Sequence, residues 1–557
     1  MFSYPPTTQE HPITTAKAWL LALLCAVWLG TGLVGHDPWQ SDDAYSFGLV
    51  YHILQSGDWL VPTLAGEPHM DKPPLFYMTA ALFAKLLSPL LELHDGARLA
   101  SGFYTALTLL FIGLSGRELF GKGRGWTSAI ILIGCLGMLV RSHELITDIA
   151  LLTGCAMMLY GYTLSMRRTL LAGMLIGNGI GIGFMSKGFI APMLFVLISA
   201  ALLLFRTWRM RTFLSSLAIA LLFALPWLTV WPFLLYQRSP ELFMEWFWTL
   251  NIGRWFDYIQ GGDYAEALYY IKILPWFAWP ALPLAAWAVW EARRKLLHEA
   301  EFQLLLVSFF VMLFTLSVVP NIKEVFALPI LLPLALLANA ALPTLRRGAA
   351  NALDWFGIMT FGFVAILMWW GWAGLLQDNH AKITRWLKDY QPGFEPAFNA
   401  TTFWIALTFT VLWVLLVWRV GRSMRRAVLN WASGVTLLWV LAMTLWLPWL
   451  DNGKSYRGMV VSLKQAMPKH HGCIASMDVG NTQRAMLQYL GNITTQTQAQ
   501  LACDLLLVHG ERAASLVEKE TTWVKRWEGN RKGVKSGPFR LYQRLEPIVQ
   551  RPVTPQP

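Results

Sequence analysis

The stretch Trp39–Tyr77, WQSDDAYSFGLVYHILQSGDWLVPTLAGEPHMDKPPLFY, decides how this chain is read. It follows the first apolar run and opens on an acidic pair, Asp42 and Asp43. It closes on Asp71 and Lys72, followed by two prolines. A polar stretch of this length between apolar runs reads as a large loop outside a membrane. Carboxylates at one end and a lysine at the other give it the parts of a catalytic loop. Ser41 or Asp42 could instead cap a helix starting near Tyr45.

The composition outside the loop supports a membrane setting. Of 557 residues, 55% are hydrophobic and only 14% are charged, against about 25% charge in soluble domains. Many apolar runs approach the roughly 20 residues needed to cross a bilayer. Lipid-exposed backbone must satisfy its own hydrogen bonds, so the spans are helical. The 29 tryptophans fit two interfacial belts. The net charge of +12 does not point to nucleic acid, because the Lys and Arg residues sit in short loops between apolar runs. The first apolar run lacks a small-x-small cleavage site and reads as a retained anchor.

Thirteen spans are expected, the first over residues 18–34 and the last over 432–449. Within the first loop, residues 45–55 and 74–91 are amphipathic enough to lie along the membrane surface. Alternate connections carry Arg117/Lys122/Arg124, Arg167/Arg168, Arg206/Arg209/Arg211, Arg293/Arg294/Lys295, Arg346/Arg347 and Arg419/Arg422/Arg425/Arg426. The positive-inside rule makes these loops cytoplasmic. The Trp39–Tyr77 loop, residues 141–148, Lys187, a second long loop over 232–266, Lys323 and the C-terminal region then share the other side.

The domain reading follows. Residues 1–16 form a cytoplasmic tail, and 17–450 a transmembrane catalytic domain whose first loop spans 35–95. Residues 451–546 mix alternating runs (GCIASMDV, CDLLLVHG, FRLYQRL) with helical ones and read as a small α/β domain. A structureless tail covers 547–557. Cys473 and Cys503 open two of the expected strands. An oxidising compartment would allow a disulfide between them; two buried thiols are the alternative.

The candidate chemistry lies on the loop side. Asp42 and Asp43 offer a general base or an electrostatic stabiliser. Asp148 opens the fourth span on the same side, beside His143 and Glu144. Lys72, Lys187, Arg254 and Arg141 supply cations, and Tyr45, Tyr77, Trp39, Trp255 and Tyr258 supply aromatic faces. Lys187, in FMSKGF between apolar runs, is costly to bury and calls for a carboxylate or a phosphate. Carboxylates among fixed cations at a bilayer surface suit a substrate with a lipid tail and a phosphate head. Taken singly, Lys72 reads equally as a solvated lysine, and Arg141 and Arg254 as interface anchors. No Walker loop, dinucleotide fingerprint or Cys/His cluster of metal spacing occurs.

WQSDDAYSFG, GDWLVPTLAGEPHMDKPP, the Thr147–Asp148 pair, SKGF, EWFWTLNIGRW and FALPILLPLALL, in this order, resemble the GT-C polyprenyl-phosphate glycosyltransferases over roughly residues 15–340. The resemblance is to the bacterial lipid A aminoarabinose transferase type, which is related to the protein O-mannosyltransferases. It implies a mostly α, polytopic GT-C fold with amphipathic loop helices and a periplasmic α/β domain. It also implies an inner-membrane enzyme transferring a sugar, with inversion, from undecaprenyl phosphate to lipid A or another envelope acceptor. The alternative is glycosylation of periplasmic protein Ser or Thr. Asp42 falls on the catalytic aspartate, with Asp43 as its acidic neighbour and Asp148 as the aspartate before the fourth span. Lys72 falls on a substrate-binding lysine. Lys187, Arg254 and Arg141, with Tyr45 and Tyr77, would hold the donor phosphate. A divalent metal is compatible with the carboxylates, but nothing requires one. The chain departs from the pattern at Ser41, where the family has proline, at Phe326, where it has tyrosine, and in lacking a histidine ahead of Tyr269–Tyr270, where Asp263 is near.

Overall fold

The structure is a computed structural model. It describes residues 14–39, 41–253, 268–318, 322–377, 382–391, 394–419, 424–497, 503–520, 522–531 and 537–545. Arg254, Trp255, Tyr258 and Asp263 lie outside the described residues.

The chain folds as a helical body with a small sheet at its C-terminal end. The first half runs α1 (Thr15–Gly30), α2 (Asp42–Ser56), α3 (Leu75–Leu87), α4 (Leu93–Phe120), α5 (Gly125–Gly134), α6 (Leu136–Arg141), α7 (Thr147–Leu164), α8 (Thr169–Lys187), α9 (Ile190–Leu203) and α10 (Arg211–Arg238). Long apolar helices follow over Ala300–Ser317, Arg347–Leu376, Ala400–Arg419 and Met424–Thr444. Among the described residues, eight helices are long and apolar enough to cross a membrane on their own. The expected eighth span, centred near Trp279, is a broken pair. Tyr269–Phe277 and Ala281–Glu291 meet at 99°, where Pro280 offers no amide N–H to continue the helix. Four shorter apolar helices, α1, α3, α5 and α9, fall below the length of a full span.

Close packing of α7, α8 and α10 builds the centre of the body. α8 carries GNGIGIGF, and its glycines face both neighbours. A Cβ on Gly154 of α7 would sit 2.6 Å from the carbonyl oxygen of Gly179, and one on Gly177 would sit 2.4 Å from that of Ala220 on α10. Small residues let helix backbones approach where lipid provides no hydrophobic drive. Gly154→Leu should therefore push α7 off α8. The expected result is a drop in the thermal midpoint of the detergent-solubilised protein large enough to cut its folded yield.

The three basic connections after α4, after α7 and before Arg347–Leu376 share one end. Arg167 pairs with Glu118 at 3.0 Å, and Arg124 and Asn339 exchange backbone-directed hydrogen bonds of 3.2 and 2.9 Å.

Both amphipathic stretches of the first loop are helical, but α2 is surrounded by protein. Ala44, Phe47, Leu49, Val50 and Ile53 are all buried, so the expected surface-lying helix is in fact an internal one. Nor is α2 capped by Ser41, whose side chain makes no cap hydrogen bond. Beyond α2 comes a two-residue hairpin, β1 (Thr63–Leu64) and β2 (Glu67–Pro68), turned by Ala65 and Gly66. Both turn residues have positive φ, 52° and 87°, as this tight hairpin turn requires.

The C-terminal unit has β3 (Ile474–Met477), β4 (Leu505–His509), β5 (Trp523–Gly529) and β6 (Phe539–Arg544). Their order is β3–β4–β6–β5, with β3 parallel to β4 and the other pairs antiparallel. Cys473 and Cys503 precede the adjacent parallel strands β3 and β4, and a disulfide joins them across a Cα separation of 4.9 Å.

This unit grips the first loop. Arg484, 5% exposed, donates to Glu67 at 2.8 Å and to the Ala65 carbonyl at 3.2 Å. Asn481 and Thr497 also donate to Glu67, each at 3.1 Å. Tyr489 packs edge-on to Phe47 and Tyr51 and shares a 2.8 Å hydrogen bond with His94.

Candidate active site

The turn that delivers the acidic pair is folded around one side chain. Arg98, on α4 and 1% exposed, donates Nη1 to the Leu33 carbonyl at 3.2 Å and to Asp95 at 3.0 Å. Its Nη2 donates to the carbonyls of His36 and Asp37, both at 3.3 Å, and to Asp43 Oδ2 at 3.0 Å. Asp43 also accepts the Trp39 amide at 3.2 Å and, through Oδ1, the Leu145 amide at 2.8 Å. Burial alone would push the Asp43 carboxyl up; Arg98 beside it and the amide of Leu145 hold it below the usual carboxylate range. Asp43 was expected among the catalytic carboxylates. Its oxygens are instead committed to locking the turn onto α4 and onto the start of α7.

That lock leaves Asp42 facing elsewhere. Asp42 is half-buried, and no described residue hydrogen-bonds its carboxylate. Its charge acts on both Arg141 and Lys187, which places it between two groups of cations.

One group surrounds Asp148. Asp148 stands in the first turn of α7, where the helix dipole favours a carboxylate. It accepts Lys187 Nζ at 2.6 Å, and both side chains are almost out of solvent, at 5% and 8% exposure. The Lys187 ammonium also sits 4.2 Å from the ring centre of Phe326. Phe326 stands where the family pattern has tyrosine, and it offers a π face in place of a hydroxyl. Lys72 and Lys323 are near enough to act on Asp148 as well. Three lysines thus act on one buried carboxylate, with Asp42 and Asp71 as further acidic groups in the cluster. Lys72 lies beside Tyr45, its Nζ 5.7 Å from the ring centre. Tyr77 is fully buried, and its hydroxyl lies beside the Tyr45 phenol. Burial raises the pKa of both phenols, keeping them neutral donors.

The second group lies at the end of α6. Arg141 Nη1 donates to Glu144 at 2.8 Å, with both side chains about a quarter exposed, at 27% and 23%. Arg141 was expected to help hold the donor phosphate; its ion pair is with Glu144, and the charges of Asp42 and Glu324 also act on it. His69 and Asp71 form a 3.1 Å pair at the foot of the loop. Among the described residues no group of three or more His, Cys, Asp or Glu side chains is placed to hold a metal ion.

Sequence reasoning brought Asp42, Asp148, Lys72, Lys187, Tyr45 and Tyr77 together, and they do converge. It missed Arg98, although an arginine inside an apolar span is itself a signal. It also missed the segment after the last long helix. Arg457 pairs with Asp37, Ser455 Oγ donates to Asp37 at 2.6 Å, and Asp451 accepts the Trp39 indole N–H at 2.8 Å. Those contacts join residues more than four hundred positions apart, beyond the reach of spacing rules.

Three comparisons bear on this architecture. Residues 71–231 match the family model described as dolichyl-phosphate-mannose-protein mannosyltransferase. An undecaprenyl phosphate-alpha-4-amino-4-deoxy-L-arabinose arabinosyl transferase of Pseudomonas aeruginosa is 28% identical over 376 residues, covering 63% of this chain and 64% of that protein. One of the same description from Yersinia enterocolitica is 27% identical over 387 residues, covering 65% of this chain and 68% of that protein. The match to the first of these therefore spans slightly less than two thirds of its length. The crystal structure of ArnT from Cupriavidus metallidurans bound to undecaprenyl phosphate superposes with a TM-score of 0.68 at 14% identity, covering 95% of this chain and 98% of that one. Its apo form gives 0.67. Helical body, first-loop turn and C-terminal sheet together thus give the chain the GT-C fold of the ArnT structures, with a sequence similar to the arabinosyl transferases and, over residues 71–231, to the protein mannosyltransferase model.

Proposed function

We propose that the chain is an inverting glycosyltransferase of the bacterial inner membrane. It moves a sugar of the aminoarabinose type from undecaprenyl phosphate to lipid A or another envelope acceptor on the periplasmic face. The observation that carries this reading is the division of labour at the turn. Asp43 and Asp148 are consumed by Arg98 and Lys187, while Asp42 keeps its lone pairs free between two sets of cations.

In the reaction an acceptor oxygen attacks the anomeric carbon as the bond from that carbon to the donor phosphate breaks. The departing electron pair stays on undecaprenyl phosphate, where Lys72, Lys323 and the Lys187–Asp148 pair meet the developing charge. A single displacement inverts the anomeric centre. If the acceptor is a hydroxyl, its proton passes to Asp42; if it is a phosphate, it arrives deprotonated and Asp42 positions it. The basic connections clustered at one end support cytoplasmic placement of that end, with the site opposite.

Mass spectrometry of lipid A from cells with and without the protein tests the reading. Addition of an aminopentose mass only when the protein is present is the expected result. The match of residues 71–231 to a protein mannosyltransferase model favours a second reading, transfer to protein Ser or Thr. Unchanged lipid A with a newly labelled envelope polypeptide would establish that alternative.

Lys72→Ala should raise the donor KM about tenfold, the cost of one charge-assisted contact, with little change in the thermal midpoint because Lys72 is half-exposed. A donor titration in detergent checks both.

A further inference from the structure

Lys72 follows closely on the β1–β2 hairpin, five residues after Glu67. The tip of that hairpin is seated on the helix Asn481–Gly491 of the C-terminal unit. Arg484 forms the seat. It is 5% exposed, and a guanidinium has five N–H donors in a rigid planar fork. Three are used inside its own unit. Nε donates to Thr495 Oγ1, Nη2 to the Thr495 carbonyl and Nη1 to Asn481 Oδ1, each at 3.1 Å. The other two cross to the hairpin, Nη1 to Glu67 at 2.8 Å and Nη2 to the Ala65 carbonyl at 3.2 Å. The first three fix the guanidinium plane, so the last two dictate where Glu67 and Ala65 sit. Asn481 and Thr497 add further donors to the Glu67 carboxylate.

The same helix holds the other arm of the loop. A Cβ on Gly48 of α2 would lie 2.8 Å from Ala485 Cβ and 2.5 Å from Leu64 Cδ1. α2, the hairpin and the helix Asn481–Gly491 therefore meet at a point with no room for a side chain. α2 opens on Asp42, and the hairpin leads to Lys72. One helix thus braces both arms. Asn481, Arg484, Ala485, Thr495 and Thr497 all lie between Cys473 and Cys503, so the disulfide closes the segment that carries the brace. Between hairpin and lysine the chain has little slack. The His69 amide donates to the Pro62 carbonyl at 2.7 Å, and the His69 ring pairs with Asp71 at 3.1 Å. Two prolines of fixed φ follow Lys72.

We propose that Arg484 is a positioning residue: through Glu67 it sets the place of Lys72, and the C-terminal unit thereby governs affinity for the donor lipid. The donor part of this assignment rests on the glycosyl-transfer reading; the seating of Lys72 does not.

The test uses the full chain in nanodiscs, with undecaprenyl phosphate as the probe and no acceptor. Lys72→Ala sets the ceiling, about a tenfold rise in Kd for one lost charge-assisted contact. Glu67→Ala is expected to raise Kd about fivefold, part of that ceiling. Glu67→Gln, whose amide oxygen still accepts from Arg484, should stay within about twofold of the parent. Added to Lys72→Ala, Glu67→Ala should change Kd by less than about twofold, because it acts through the lysine already lost. Amide hydrogen exchange over residues 63–77 should rise in Glu67→Ala as the tip is released. The thermal midpoint should hold, because the Glu67 side chain is 45% exposed; Glu67→Ser replaces the alanine variant if that one does not fold. Additive effects of the two substitutions overturn the proposal, as does a Kd that Lys72→Ala raises and Glu67→Ala leaves unmoved. Unchanged exchange also overturns it, leaving Met70, 1% exposed, as the anchor of Lys72. Binding unmoved by Lys72→Ala, with exchange raised by Glu67→Ala, sinks only the donor reading of Lys72 and leaves its seating intact.

Discussion

Asp42→Asn is expected to lower sugar transfer by about a thousandfold while leaving the protein folded and inserted. The size follows from what a positioned carboxylate contributes to proton transfer or to charge stabilisation, typically 10²- to 10⁴-fold. The selectivity follows from the geometry. No described residue donates to the Asp42 carboxylate, so asparagine, of the same shape, leaves no donor unsatisfied and no buried charge uncompensated. The thermal midpoint should stay within about 1 °C, since surface-type changes usually cost under 0.5 kcal/mol. Asp43→Asn predicts the reverse pattern. It removes the charge partner of Arg98 and turns one accepting oxygen into a donor facing an amide or a guanidinium, so its first effect is on stability. Turnover and thermal midpoint measured on both variants separate the two aspartates. Retained transfer in Asp42→Asn would remove Asp42 from the mechanism, and a large loss of stability would give it a structural role instead.

The two aspartates are indistinguishable in the sequence, and the difference between them shows how far the residues alone carry. The helical membrane body was legible because apolar run length and loop charge are one-dimensional signals. The three strands read from GCIASMDV, CDLLLVHG and FRLYQRL all form, because alternation is local. The Lys187–Asp148 pair was legible as a demand: a lysine between apolar runs needs a carboxylate or a phosphate, and Asp148 was one candidate on its side. What failed was set by tertiary contact that no local signal announces. α2 was expected on the membrane surface because its polar residues are spaced like an interfacial helix. Its polar and aromatic positions are instead covered by the C-terminal unit, through Tyr489 and the hairpin that Arg484 grips. Arg141 was grouped with the donor lysines by side of the membrane alone. Side is a coarse coordinate; the contact that the structure gives Arg141 is its ion pair with Glu144. The break in the eighth span at Pro280 was hidden by a hydropathy profile that averages over it.

Arg98→Leu should be the most damaging single substitution in the body of the protein. Arg98 satisfies two carboxylates and three backbone carbonyls from a position 1% exposed to solvent. Leucine fills part of the volume but leaves Asp43 and Asp95 buried as uncompensated charges. Removing one partner of a buried ion pair costs about 3–5 kcal/mol, and here a second carboxylate and the three carbonyls lose their donors too. Against the 5–15 kcal/mol that holds a typical domain together, that is enough to empty the folded population at physiological temperature. The pH dependence gives the diagnosis a sign. In the parent protein the folded-state pKa of Asp43 lies below its unfolded value. The unfolded chain thus binds more protons, and this stabilising contribution is present at neutral pH and lost as the pH falls through the folded pKa. In Arg98→Leu the burial that Arg98 opposed is countered only by the amides of Trp39 and Leu145, the Asp43 pKa is expected to rise above its unfolded value, and the folded state becomes the one that takes up the proton. The parent loses stability as the pH is lowered from 7 toward 5, because burial holds His36 and His143 neutral while the unfolded imidazoles take up protons; the variant should lose less over the same range, or gain. Thermal midpoints of both proteins across that range test the argument: parallel curves would show that the Arg98–Asp43 pair does not govern the turn, whereas a gap that narrows toward pH 5 would locate the lost energy at the carboxylate beside Asp42.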